Sequence, residues 1–106
     1  GPLVVKSKRR KPHTFTIAGR RWSWSYKAMR NDYGLCDYTN RAITIDTQQA
    51  GQTRLDSEIH EALHAIQAFA TEEHTAEAAA TLAAILYGLG YRLTEQADRR
   101  RVYVGE

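Results

Sequence analysis

His60-Glu61-Ala62-Leu63-His64 constrains this chain more than any other stretch, because its spacing lets one turn of helix grip a metal ion. On an α-helix, side chains four apart stand one above the other, with Cβ atoms about 5–6 Å apart. Two imidazoles so placed can both reach one Zn²⁺ at roughly 2.0–2.1 Å, and the acid beside the first is set to act on water at the ion. The same residues also meet by accident on solvated helix surfaces, so the surrounding sequence decides the reading.

That surrounding sequence is helical. Thr53 offers an N-cap with Asp56 three residues on, and Leu55, Ile59, Ala62, Leu63, Ile66 and Phe69 follow at helical spacing. The pattern predicts a helix over 54–69, with His60 and His64 flanking its apolar stripe and bordering the core. Thr71 opens a second helix, with Glu72 and Glu73 in the first turn where the macrodipole favours acids. Alanine-rich sequence carries it to about Leu89, and Gly90 suits the C′ position.

Upstream the period changes from 3.6 to 2. His13-Thr14-Phe15-Thr16-Ile17 alternates, Ala18-Gly19-Arg20-Arg21 supplies a turn, and Trp22-Ser23-Trp24-Ser25-Tyr26 alternates with its aromatics on one face. Residues 13–28 therefore read as a β-hairpin whose tryptophans cover a sheet against its helices, in preference to forming a platform for bases. Asn31-Asp32-Tyr33-Gly34 breaks the pattern, and 35–46 read as a second hairpin turning at Thr39-Asn40. The expected fold is α+β: a small antiparallel β-sheet of N-terminal hairpins packed beside the histidine-bearing helix and a second helix. There is no βαβ alternation, glycine-rich phosphate loop or internal repeat. Residues 99–104 read either as a last strand or as a tail.

At 106 residues the chain has room for one modest core. Residues 1–12 read as a tag scar, Gly1-Pro2, and a basic tail; 13–106 read as a single domain. No apolar run approaches the ~20 residues of a membrane span. The lone Cys36 cannot form an intramolecular disulfide, which fits a reducing, cytoplasmic setting. The net charge of +3 is unevenly spread. Residues 1–50 carry ten Lys/Arg against three acids, whereas residues 51–90 carry Arg54 alone against six acids. An acidic segment holding three of the four histidines is what a divalent cation site needs. Lys6-Ser7-Lys8-Arg9-Arg10-Lys11 reads as a solvated tail or as a contact to nucleic acid.

A catalytic zinc takes a third protein ligand and keeps its fourth position open. The candidates are Glu72, Glu73, His74, Glu77 and Cys36. Taking the second helix's core stripe as Ala76, Ala79, Leu82, Ala83 and Leu86 puts Glu72 in line with it, pointing inward, where a cation would relieve an otherwise costly buried carboxylate. Glu77 falls with Glu73 on the solvated face, and a strand cysteine is more often a small buried hydrophobe.

With HEALH and an inward Glu on the next helix, the chain resembles the HExxH metallopeptidases with a Glu third ligand (gluzincin-type). It is most similar to the small single-domain zincin-like proteins of bacteriophages and bacteria. The resemblance covers most of 33–92, including Tyr33-Gly34-Leu35-Cys36-Asp37-Tyr38 and Leu86-Tyr87-Gly88-Leu89-Gly90-Tyr91-Arg92. It implies His60, His64 and Glu72 as zinc ligands and Glu61 as general base, with Thr75 standing where a bulky aliphatic is usual. SprT-like and ImmA/IrrE-like proteases are more distantly similar, and imply a sheet edge beside the site that can hold an extended peptide. Gly34-Leu35-Cys36 also resembles the upstream segment of peptide deformylases, though Asp37 departs from that pattern.

The expected function is a zinc-dependent peptidase acting on a peptide or protein, with Glu61 taking the proton of a water activated by the ion. The alternatives are a non-enzymatic nucleic-acid- or protein-binding module that uses the basic N-terminus, and a deformylase-like hydrolase of a small amide. Tyr33, Tyr38, Tyr91 and Tyr103 are the candidate oxyanion donors.

Overall fold

The computed structural model describes residues 13–93. Four strands precede two helices: β1 (His13–Ile17), β2 (Arg20–Lys27), β3 (Gly34–Asp37), β4 (Ala42–Asp46), α1 (Gly51–Ile66) and α2 (Glu72–Gly88). The α+β class is as expected, and both hairpins form. The basic segment Lys6–Lys11 and the residues 99–104 fall outside the described residues.

The sheet is not wholly antiparallel. Its order is β1-β2-β4-β3, and β2 pairs with β4 in parallel, Trp24 opposite Ile43 and Tyr26 opposite Ile45. Burial explains why the second hairpin enters this way round. Ile43 and Ile45 are fully buried, so their strand takes an interior place, while Gly34-Leu35-Cys36-Asp37 takes the edge. Reading hairpins locally gives their turns but not which strand of one lies beside the other.

Period-two patterning sets the two faces of the sheet. Trp22, Ile43 and Ile45 form the buried cluster, with Ile17, Trp24, Tyr26, Cys36 and Ala65 packed around it. The alternating aromatics thus belong to the core, as expected, and Trp22 is not a surface platform. The first turn is only Ala18-Gly19, with φ of 51° and 79°, both left-handed as a two-residue hairpin loop requires. In the second, Asp37 accepts from the backbone N–H of Asn40 at 3.1 Å and from its side-chain amide at 2.9 Å. Those bonds, the side-chain one first, hold the Asp37 carboxyl below its ordinary pKa.

α1 lies between the sheet and α2, and its bounds differ from the sequence reading. It starts at Gly51 behind Ala50, whose side chain makes no capping bond, and it stops at Ile66. Gly51 has φ of 58°, a conformation that lets the chain turn into a helix before Thr53. Phe69 lies beyond the helix and is exposed, because the backbone must already be reversing toward α2. The underside of α1 is also more polar than a hydrophobic stripe predicts: its buried residues are Arg54, Ser57 and Glu61.

α2 keeps its expected ends. The Thr71 hydroxyl accepts from the His74 N–H at 3.1 Å, and Gly90, at φ of 101°, closes the C-terminus while the Tyr91 N–H bonds the Leu86 carbonyl. Its buried stripe is Thr75, Ala79 and Ala83, so Ala76 and Leu82, assigned to the core from sequence, are exposed. The helices run antiparallel: Glu72 meets the histidines, and Tyr87 lies against Gly51 at the other end. Among the described residues no helix is long and apolar enough to cross a membrane.

Thr75 is only 2% exposed, and its hydroxyl has no hydrogen-bond partner among the described residues. An unpaired buried hydroxyl carries a desolvation cost that a methyl of the same shape does not. Thr75→Val is expected to raise the unfolding free energy by about 1 kcal/mol, read as a higher urea midpoint at unchanged slope.

Candidate metal centre

The three residues singled out as ligands converge. His60 Nε2 lies 3.0 Å from one oxygen of Glu72, and His64 Nε2 lies 3.0 Å from the other. The imidazoles meet edge to face, with centroids 4.8 Å apart. One donor atom from each of the three residues falls within a span of 4.8 Å, close enough to hold a metal ion. Ligands at roughly 2.0–2.1 Å around a tetrahedral ion sit about 3.3 Å apart, so around a small cation the two His–Glu72 pairs at 3.0 Å open slightly and the wider separations, up to 4.8 Å, close. Two imidazoles and a carboxylate are donors that suit a divalent transition-metal ion.

Glu72 reaches the site differently from the sequence expectation. Its side chain is 67% exposed and does not point into the core. It stands at the first residue of α2, at the mouth of the site, and spans both histidines from there. Glu73, His74 and Glu77 are exposed and lie outside the converging group. Cys36 is outside it too, on the sheet's inner face, where burial first and the Glu61 charge second push its thiol up to about 11.

Glu61 is placed apart from its neighbours in the motif. It is 8% exposed and lies against β3, where it meets Gly34. A Cβ on Gly34 would stand 2.8 Å from Glu61 Cγ and 3.2 Å from its Oε2, with the Thr44 carbonyl also at 3.2 Å. Only glycine leaves room for the acid there. Burial raises the Glu61 pKa above the ordinary carboxylate value; His64 opposes this, and the charges of Glu72 and Asp32 add to it.

Gln49, which lies between the hairpin and the helix read from the sequence, locks this arrangement. Its amide donates to the Tyr33 carbonyl at 2.9 Å and the Asp46 carbonyl at 3.1 Å, and its oxygen accepts from Ser57 Oγ at 2.6 Å. The start of β3 is thereby tied to α1 one turn before Glu61. The Asp46 carboxylate accepts from the backbone N–H groups of Met29 and Gln48, fixing the chain on either side. Tyr38 donates to the His64 carbonyl at 3.0 Å, pinning the end of α1 to the second hairpin. No periodic or motif signal marks Gln49, because its partners come from three segments.

A cleft of about 380 Å³ opens over the group, lined by Tyr33, Gly34, Thr53, Asp56, Ser57, His60, Glu61 and Glu72. Of the four candidate tyrosines, Tyr33 lines this cleft and Tyr91 a separate one of about 570 Å³. Tyr38 is spent on the His64 carbonyl, and Tyr103 lies outside the described residues. No family model, curated protein or solved structure matches this chain.

An acid with a raised pKa holds its proton in the folded state after the unfolded chain has released it. Stability is therefore lost as pH climbs from the unfolded value, about 4.3, through the folded one. In chelator-treated protein, Glu61→Gln is expected to be more stable than wild type at pH 7, with the margin vanishing below about pH 4. Paired urea titrations across that range measure it.

Proposed function

We propose that this protein is a zinc-dependent peptidase. The observation that carries the reading is the single carboxylate of Glu72 spanning both HExxH imidazoles at 3.0 Å each, with Glu61 buried next to them but outside the ligand group. Bound by His60, His64 and Glu72, zinc would supply a Lewis acid that polarises a carbonyl and makes water more acidic. Glu61 is the residue that would take a proton from water at the site and pass it to the leaving amine. A pKa raised by burial suits both halves of that task.

The wall opposite α1 favours an extended substrate. β3 is an edge strand, and it runs beside Glu61. A peptide pairing with its free edge would pass along the cleft with its backbone held by main-chain hydrogen bonds. Leu35, on this strand, is half exposed and turned to the other face of the sheet from Gly34 and Cys36, so it leaves the cleft open. The nucleic-acid alternative turns on the basic segment Lys6–Lys11, which lies outside the described residues; the buried Trp22 adds nothing to it. The deformylase-like alternative needs Cys36 among the ligands, and Cys36 stands outside the group.

Two measurements test the proposal together. Purified wild type should bind zinc one to one by elemental analysis, and Glu72→Ala should weaken binding at least ~10-fold. Glu61→Gln should keep the zinc and lose peptide hydrolysis by a factor of about 10² or more. Zinc retained by Glu72→Ala, or hydrolysis retained by Glu61→Gln, would defeat the reading.

A further inference from the structure

Among the described residues, the hydroxyl of Thr75 is the one sealed side-chain polar group that finds no hydrogen bond. Valine would fill the same volume without stranding a hydroxyl, so threonine is unfavourable there unless the oxygen gains a partner in another state of the protein. Its place in the fold says which. Thr75 stands one turn after Glu72 on the same face of α2, and that face packs on α1. The helices run antiparallel. Three residues along α2, about 4.5 Å, therefore lead back along α1 from the midpoint of His60 and His64 to the level of His60.

His60 has a need that matches. Its Nε2 is turned to Glu72, where an ion would be held, so in a neutral ligating ring the proton sits on Nδ1. Among the described residues Nδ1 makes no hydrogen bond, although the side chain is only 20% exposed. A ligating imidazole ordinarily donates this second N–H to an outer acceptor, which fixes the ring's tautomer and angle. A threonine hydroxyl offers two acceptor lone pairs, and in a helix it divides between two χ1 rotamers, so its oxygen can swing without moving the backbone. Asp56, one turn before His60, lines the open cleft, where water already serves it. The Thr75 hydroxyl has no such alternative.

We propose that Thr75 is a positioning residue for the metal centre: its hydroxyl accepts a hydrogen bond from His60 Nδ1–H when the three donors close on an ion, and so sets the angle at which Nε2 meets that ion. This rests on the metal half of the peptidase reading. Thr75 touches neither ion nor substrate and acts through His60. The hydroxyl that weakens the ion-free fold thus strengthens the hold on the ion, two effects of opposite sign from one atom.

Zinc alone is the probe, titrated into chelator-treated full-length protein against a chromophoric competitor. Thr75→Val should bind zinc roughly tenfold more weakly than wild type, and Thr75→Ser, which keeps the hydroxyl, should stay within about threefold of it. That loss should come with an ion-free Thr75→Val fold at least as stable as wild type in urea, which a packing defect would not give. In the zinc-loaded protein, proton–nitrogen NMR should show a slowly exchanging His60 ring N–H in wild type and Thr75→Ser that Thr75→Val lacks. Equal zinc affinity in wild type and Thr75→Val overturns the proposal, as does an equal loss in Thr75→Val and Thr75→Ser. If Thr75→Val does not fold, the His60 signal decides, and its absence from wild type and Thr75→Ser overturns the proposal. No zinc binding by wild type defeats this proposal and the peptidase reading together. A tenfold loss in Thr75→Val with no peptide hydrolysis by wild type refutes the peptidase and leaves the positioning role standing; hydrolysis with unchanged zinc affinity does the reverse.

Discussion

Everything at the site depends on α1 being covered from two sides while still carrying polar residues. The sheet lies beneath it and α2 beside it, so each polar group on its underside has to find a partner or carry a desolvation cost. Ser57 bonds Gln49, Glu58 accepts from Tyr26 at 2.7 Å, and Arg54 lies over the Tyr26 ring. Glu61 alone of this row fits by the absence of a side chain opposite, at Gly34. A helix so committed has little freedom to rotate or slide, which is what a three-residue donor set with tolerances of a few tenths of an ångström requires.

The core proper is small and supports this rigidity from below. Trp22, Ile43 and Ile45 are contributed by two strands that pair in parallel, and the second hairpin locks its edge strand onto α1 through Gln49 and Tyr38. Those polar ties matter because α1 presents no continuous apolar stripe to the sheet. Ala65, near the end of α1, is the helix residue that packs against the buried cluster. Hydrophobic burial sets where the sheet is; hydrogen bonds between segments set where the helix sits on it.

This division explains what could be read from the chain before its structure was seen. Local signals were legible: the i, i+4 histidines, the Thr71 cap, the Gly90 stop and the alternation through Trp22-Ser23-Trp24 each act within a few residues. Glu72 could be reached by counting turns from a presumed stripe, although the actual stripe runs through Thr75, Ala79 and Ala83. It lands beside the histidines because residues 72, 75, 79 and 83 share a helix face. What was not legible required two or three segments at once. The parallel β2–β4 pairing, the Gln49 tie and the polar underside of α1 leave no period in the sequence. A patterning rule that expects apolar residues beneath a helix therefore places Phe69 and Leu82 in a core they do not join.

The geometry of the HExxH turn itself gives the last step. Successive residues on a helix are rotated by about 100°, so Glu61 cannot share a face with His60 and His64. The imidazoles turn to the start of α2, where Glu72 closes on both; the carboxylate of Glu61 turns to β3, where Gly34 makes room. The imidazoles and the acid are thus separated by the fold's two different neighbours, not by distance along the chain. Were α2 to begin a turn later, the histidines would lose their third partner; were any side chain to stand at position 34, the acid would lose its berth. One short helix therefore turns its two imidazoles toward α2 and its buried acid toward β3, two directions walled by different elements.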